Sequence, residues 1–264
     1  MAVDLAALIA DLGAESAELD GVLGGLRASD FDRPTPAAGW TIRGQVTHLA
    51  FFDDAAVTAA SDPARFRDEA PVSDAQVDSL GDRVAERYRM LPPNDALTWF
   101  RAARGRYLEV FADLDPAASL PWYGPPMSVA SSVTARLMET WAHGQDIHDA
   151  LGLTRWPTAR LRHVAHLGVR TIGWSFRVHG RPEPDVPVRV ELAAPESGTW
   201  TWGPRDATDR VTGSAEDFCL LVTQRRHRRQ TALSAQGPIA NGWLDVAQAF
   251  AGPPGDKPSQ RDPE

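Results

Sequence analysis

One cysteine, one lysine and no apolar run of membrane-spanning length occur in the 264 residues of this chain. Each scarcity excludes something. A lone Cys219 cannot build an internal disulfide framework or a cysteine-rich zinc site. Set in Phe218-Cys219-Leu220-Leu221, it reads as a small buried hydrophobe and not as a nucleophile. A membrane-spanning helix needs about 18 or more apolar residues in succession, and none is found. Asp4, Asp11 and Glu15 interrupt the N-terminus where a signal peptide needs its apolar centre. The expectation is a cytoplasmic protein without a membrane partner. Basic charge is arginine throughout, Lys257 excepted, and a net charge of −8 argues against broad binding to nucleic acid. The patterns HExxH, GxSxG, GxGxxG and CxxC and the Walker loop are also missing, which removes the commonest metalloprotease, hydrolase, nucleotide and redox signatures.

Helical periodicity is what the chain does have. Leu5, Leu8, Ile9, Leu12, Leu19, Val22, Leu23 and Leu26 predict a helix over 2–27, and a second follows from Thr41 to about Ala60. After a polar stretch, Asn94 can cap a helix to about Leu114, and Ser128 one that ends near Gly152. A further helix is expected from Pro157 to about Val178. Long helices with short connections suggest an up-and-down bundle over 1–180. The segment Leu120-Pro121-Trp122-Tyr123-Gly124-Pro125-Pro126 reads as a connecting loop, with a pocket rim as the alternative. His179-Gly180-Arg181-Pro182 marks a change of period. Strand-like runs at 186–192, 199–202 and 210–212, with helices at 215–226 and 243–250, predict a small α+β domain over 181–252. Residues 253–264 read as a disordered tail. The fold class expected is α+β.

Two segments carry possible chemistry. Glu139 and His143, four apart, lie about 40° apart around a helix axis and so can face one ion. Asp146 falls within about 20° of Glu139 and could join them, whereas His148 lies about 180° away. His48, on the earlier helix, shares its face with Thr41, Gly44, Phe52 and Ala55, a mostly small or apolar surround. Two imidazoles and a carboxylate suffice for a metal site with open positions. A glutamate and histidine four apart are also what an ordinary helix surface shows. Since di-iron bundles use repeated Glu-x-x-His pairs at i,i+3, one metal is expected. In Arg225-Arg226-His227-Arg228-Arg229, most of the charge reads as a solvated helix end.

The segment Pro34-Thr35-Pro36-Ala37-Ala38-Gly39-Trp40-Thr41-Ile42-Arg43, running into His48-Leu49-Ala50, resembles the N-terminal signature of the mycothiol-dependent maleylpyruvate isomerase family. Glu139-Thr140-Trp141-Ala142-His143-Gly144-Gln145-Asp146-Ile147 is similar to the later helix of the same family. The resemblance implies a DinB-like metal-binding bundle whose ligands here are His48, Glu139 and His143, with zinc the usual ion, and a sterol-carrier-like C-terminal domain. It also aligns Arg225 with an arginine facing the active site, which could clamp a substrate carboxylate through its planar fork.

The function expected from these readings is isomerisation of, or S-transfer to, an electrophilic small molecule by a low-molecular-weight thiol such as mycothiol. A free thiol has a pKa of about 8.5, and metal binding favours the nucleophilic thiolate, so no protein cysteine is needed. The alternatives are a metal-dependent hydrolase using bound water, and a non-catalytic carrier with a structural metal.

Overall fold

The computed structural model describes residues 3–70 and 73–252 of the chain. Two units, Met1–Thr154 and Arg155–Glu264, each enclose a core of their own. The first is helical. It contains α1 (Leu5–Gly24), α2 (Ile42–Ser61), the short α3 (Pro63–Glu69), α4 (Asp74–Asp78) and α5 (Leu80–Arg87), then α6 (Pro93–Ala112). A two-stranded ribbon, β1 (Ser119–Leu120) with β2 (Met127–Ser128), leads into α7 (Val129–Leu151).

Side-chain caps set the starts of the long helices. Asp4 accepts from Ala7 N at 3.0 Å, Thr41 from Gly44 N at 3.3 Å and Ser128 from Ser131 N at 3.1 Å, each satisfying an amide that has no partner within its helix. Gly152 ends α7 with φ of 66°, a left-handed conformation that glycine adopts without strain. Asn94, expected to cap α6, lies inside it, because Pro93 takes the first helical position where its missing N–H costs nothing. The polar stretch between α2 and α6 holds three short helices that its composition does not announce.

Helices α1, α2, α6 and α7 form the bundle: α2 packs on α6 and α7, and α1 on α7 and α6. Leu49, Val46, Ile42, Phe100, Ala103 and Ile147 are fully or almost fully buried among them. Burying each large aliphatic or aromatic side chain contributes about 1.5–3 kcal/mol, so this seam dominates the stability of the unit.

The second unit begins with α8 (Leu161–Arg170) and α9 (Ile172–Val178), so the division falls at 154/155 and not at the expected 180/181. The physical reason is packing. A Cβ on Gly168 of α8 would lie 2.8 Å from Val222 Cγ2, so this helix is fitted closely to a later part of its own unit. The helix expected over 157–178 is broken at Thr171, whose hydroxyl donates to Leu167 O and Gly168 O. A four-stranded sheet follows in the order β4-β3-β5-β6, with β3 (Val188–Ala193), β4 (Thr199–Trp202), β5 (Asp209–Ser214) and β6 (Ser234–Gln236). Central β3 runs antiparallel to β4 and parallel to β5. Val188, Val190 and Leu192 alternate inward, as the period-2 pattern requires.

Helix α10 (Ala215–Val222) starts at Ser214, which accepts from Asp217 N at 3.0 Å, and α11 (Pro238–Val246) closes the unit. Helix α10 stops four residues before the expected 226, and α11 starts five before the expected 243. The tail expected over 253–264 lies outside the described residues. Among the described residues no helix is long and apolar enough to cross a membrane.

Candidate metal centre

His48 projects from the second turn of α2, and Glu139 and His143 from successive turns of α7. The packing of α2 on α7 brings the three together, so that ligand atoms from all of them lie within 4.8 Å of one another. Two ring nitrogens converge on one carboxylate oxygen: Glu139 Oε2 is 3.0 Å from His143 Nε2 and 3.4 Å from His48 Nε2. Zinc bonds of about 2.0–2.1 Å at tetrahedral angles place ligand atoms roughly 3.3 Å apart, and the two histidine-to-Glu139 distances lie near that value. A His–Glu–His set is also the right chemistry for such an ion, with one anionic oxygen and two imidazole nitrogens. The residues present therefore fit a divalent metal. Burial pushes the Glu139 carboxyl up, but hydrogen bonds from His143 and His48 outweigh it and hold the group well below the usual carboxylate range.

Aromatic rings enclose the imidazoles. The Trp40 ring stacks on His143 with centroids 5.7 Å apart and meets the edge of His48 at 5.2 Å. Its indole N–H donates to Asp82 Oδ1 at 2.8 Å, which fixes the ring. Gly81, next to that aspartate in α5, comes so near that a Cβ there would sit 3.5 Å from Trp40 and 3.7 Å from His48. Phe52 lies 4.5 Å from the His48 ring, centroid to centroid. Beyond Phe52, Trp122 and Tyr123 from the tip of the β1–β2 ribbon pack on it at 6.2 and 5.8 Å and on Phe66 at 5.9 and 5.0 Å. The Pro-rich loop thus continues the aromatic wall that starts at His48. Burial pushes the Tyr123 phenol up to about 12, so it stays protonated across the physiological range.

Beneath the ligands lies a buried ionic network. Asp53, fully buried on α2, accepts from Arg104 Nε at 2.7 Å and from Arg136 Nε at 2.9 Å. Arg136 also donates to Leu49 O at 3.0 Å, and Arg104 to Thr140 Oγ1 at 3.0 Å and to Ser16 Oγ. Thr140 sits directly after Glu139, and Leu49 directly after His48, so these bonds hold the backbone turns that carry the ligands. On another side the Gln45 side chain reaches His143 Nδ1 through its Oε1, and its Nε2 donates to Thr35 Oγ1 at 2.9 Å.

His148 is buried but turned away, its Nδ1 donating to Gly144 O at 2.7 Å, in keeping with the helical register. Asp146 is buried as well and stands outside the ligand cluster. Arg225 belongs to the second unit, on the turn after α10. That turn passes through Gln224 at φ of 59°, and an Arg225 Nη1 donates to Thr223 O at 2.6 Å. The basic run thus lies beyond α10, and its Arg228 and Arg229 open a one-turn 3-10 helix, Arg228–Gln230. Arg228 is folded onto α11, bonding Asp245 Oδ1 at 2.9 Å and Asn241 Oδ1 at 2.6 Å. Cys219 is fully buried, its thiol donates to Leu161 O at 3.5 Å, and burial pushes its pKa well up.

Fold and site together define a class: an α+β protein whose helical bundle gathers a His–Glu–His set inside aromatic walls. Within that class, the chain belongs to the family described as the mycothiol maleylpyruvate isomerase N-terminal domain, whose model matches residues 12–148. A second family model, described as wyosine base formation, matches residues 184–236 in the other unit. Uncharacterised proteins from two strains of Mycobacterium tuberculosis are 49% identical over 247 residues, covering 94% of this chain and 96% of theirs. The crystal structures of mycothiol-dependent maleylpyruvate isomerase and of a histidine-to-alanine mutant superpose with a TM-score of 0.61 over 89% of this chain and 95% of theirs. At 15% identity, that likeness shows a shared fold.

Proposed function

We propose that the chain is a metal-dependent enzyme that uses a low-molecular-weight thiol, mycothiol by family, for isomerisation of, or S-transfer to, an electrophilic small molecule. The convergence of His48, Glu139 and His143 carries the reading. A divalent ion held by these three residues, zinc by family, would lower the pKa of an incoming thiol and so supply a nucleophile at neutral pH.

The chain's own residues supply the rest. Trp40 and Phe52 shield the imidazoles from water and leave Glu139 as the more exposed of the three ligands, 23% against 12% and 10% for the histidines. Cys219 offers no competing nucleophile, since burial keeps it a thiol. On an activated alkene, the thiolate sulfur bonds to one alkene carbon while the π pair moves into the conjugated carbonyl. Rotation about the new single bond and return of that pair expel the thiolate and give the other geometric isomer. Transfer stops at the adduct, with a proton taken up at carbon. Arg225 is assigned by family resemblance to hold a substrate carboxylate. A cytoplasmic setting suits the reading, because thiols are kept reduced there.

The test is turnover of maleylpyruvate or an activated alkene by zinc-loaded protein, with and without added thiol. Thiol-dependent turnover is expected, weakened in Arg225→Lys because lysine lacks the planar fork. Thiol-independent turnover would replace this reading with a hydrolase. A stoichiometric complex without turnover would leave a carrier.

A further inference from the structure

We infer that Phe52, Phe66, Trp122 and Tyr123 form an aromatic subsite beside the metal centre, and that the class of electrophile it selects is an activated alkene with an aryl end. The reaction itself rests on the thiol reading given above, and the subsite adds which electrophile that reaction serves. Four rings from three elements meet here. Phe52 of α2 lies against His48, and Phe66 comes from α3. Trp122 and Tyr123 stand at the tip of the β1–β2 ribbon with centroids 5.0 Å apart, and each packs on both phenylalanines. The Trp122 ring lies nearly parallel to Phe66, at 10°, and Tyr123 meets Phe52 edge to face, at 88°. These are the two arrangements that aromatic rings favour, and the same face can take a further ring in either of them.

Core packing does not account for the cluster. In the same bundle Phe100, Tyr107 and Phe111 are buried almost completely, whereas Phe52, Trp122 and Tyr123 stay half-buried, with ring surface left to solvent. Contiguous exposed apolar surface of this kind marks a place where a ligand completes the packing. The ribbon is built to hold its rings in place. Pro121, Pro125 and Pro126 restrict the loop, and the strands pair through Ser119–Ser128 and Leu120–Met127. At its base Val129 N donates to Ala118 O at 2.9 Å, which ties it to the start of α7, the helix that carries Glu139 and His143. The chemistry of the face disfavours an anion. Tyr123 stays a protonated phenol, held so by burial and by the Glu69 carboxylate, so the four rings carry no charge. The arginines that flank Phe66 are engaged, Arg65 with Glu69 at 2.7 Å and Arg67 with Pro63 O at 3.2 Å. The buried guanidiniums of Arg43, Arg104 and Arg136 are held by Asp32 and Asp53. A carboxylate placed on this face would lose water beside the like charge of Glu69 without gaining a guanidinium, whereas an aryl ring gains by leaving water.

The test compares two electrophiles that share an enal and differ in one group, cinnamaldehyde with a phenyl and crotonaldehyde with a methyl. Zinc-loaded protein is given mycothiol and either enal. Loss of the enal absorbance reports thiol addition, in which the sulfur bonds the β-carbon and the proton ends on the α-carbon. Relative to the uncatalysed rates, kcat/KM should favour cinnamaldehyde by about 10-fold or more. Trp122→Ala should reduce that preference by about 3–10-fold, through KM more than kcat, and Trp122→Phe should restore most of it. Equal relative rates for the two enals in the unaltered protein, or an undiminished preference in a folded Trp122→Ala, would overturn the subsite. Cinnamyl alcohol, which is not an electrophile, separates the subsite from the reaction. Without thiol, saturation-transfer NMR should show its phenyl protons in contact with the unaltered protein, and the signal should weaken in Trp122→Ala. That result with no turnover of either enal would keep the aromatic subsite and defeat the thiol reading. Thiol-dependent turnover without any phenyl contact would do the reverse.

Discussion

The two units bury polar groups in different ways. In the second, buried polar side chains mostly stitch backbone: Ser175 donates to Gln248 O at 3.1 Å, Thr223 to Cys219 O at 2.7 Å, and Asp209 accepts from Ala240 N at 2.8 Å, capping α11. In the bundle, buried side chains bond one another. Asp53 with Arg104 and Arg136, Arg104 with Thr140 and Ser16, and Gln45 with His143 form contacts between helices that are far apart in sequence. Backbone stitching satisfies groups that any fold must satisfy. A buried network of side chains is costly unless complete, and it favours one arrangement of its helices. Its position beneath His48 and Glu139 indicates that the bundle is organised around the site, and the second unit around its sheet.

The hardest test of that contrast is Asp53→Ala. It leaves two buried guanidiniums without their shared carboxylate, and breaking a buried ion pair from one side costs about 3–5 kcal/mol. Urea unfolding followed by tryptophan fluorescence should show a loss of this size. A loss below about 1 kcal/mol, the range of a solvated surface pair, would mean that the network contributes little.

Next in size is the metal itself. His48→Ala and Glu139→Ala should each lose most bound metal on elemental analysis, while His148→Ala should keep it, because His148 bonds Gly144 O on another side of α7. Equal loss in all three would show that the ligand set is misassigned. Stability should fall in the two ligand variants only when metal is present, since metal binding adds to folding free energy.

A lesion in the other unit sharpens the comparison. Gly168→Ala places a Cβ 2.8 Å from Val222 Cγ2 and 3.1 Å from Phe218 Cε1. Overpacking of this kind costs about 1–3 kcal/mol. The unfolding midpoint should drop while the metal content of the folded protein stays the same. Metal loss in the folded variant would show that the second unit's packing reaches the ligand set.

Local patterns made much of this readable in advance. Ser128 and Gly152 mark both ends of α7, and a spacing of four puts Glu139 and His143 on one face whatever the tertiary structure. His48 was legible through its motif, and its pairing with α7 is borne by the packing of the bundle. Gln45 and Thr35 were not legible, because Gln45 meets a residue 98 positions away and no period encodes that. Arg104 and Arg136 did carry a signal: each falls on an apolar stripe, Arg104 between Phe100 and Tyr107, where an unpartnered charge is not tolerated. The boundary expected near 180 rests on a change of period, which is a local signal. The docking of α8 and α10, which sets the true division, is a long-range contact.

The smallest expected effect belongs to Cys219, and its smallness is informative. If the reaction uses an added thiol, Cys219→Ser should leave turnover largely intact wherever the protein folds, since the sulfur lies in the core of the second unit with its pKa raised by burial. The native protein should also resist a thiol-specific reagent such as Ellman's disulfide and react only after denaturation, because the thiolate is the reactive form and is disfavoured in an apolar setting. Rapid reaction of the native protein, or turnover abolished in a folded Cys219→Ser, would make Cys219 a nucleophile and not a core residue. The assignment of the nucleophile to an added thiol would then fail.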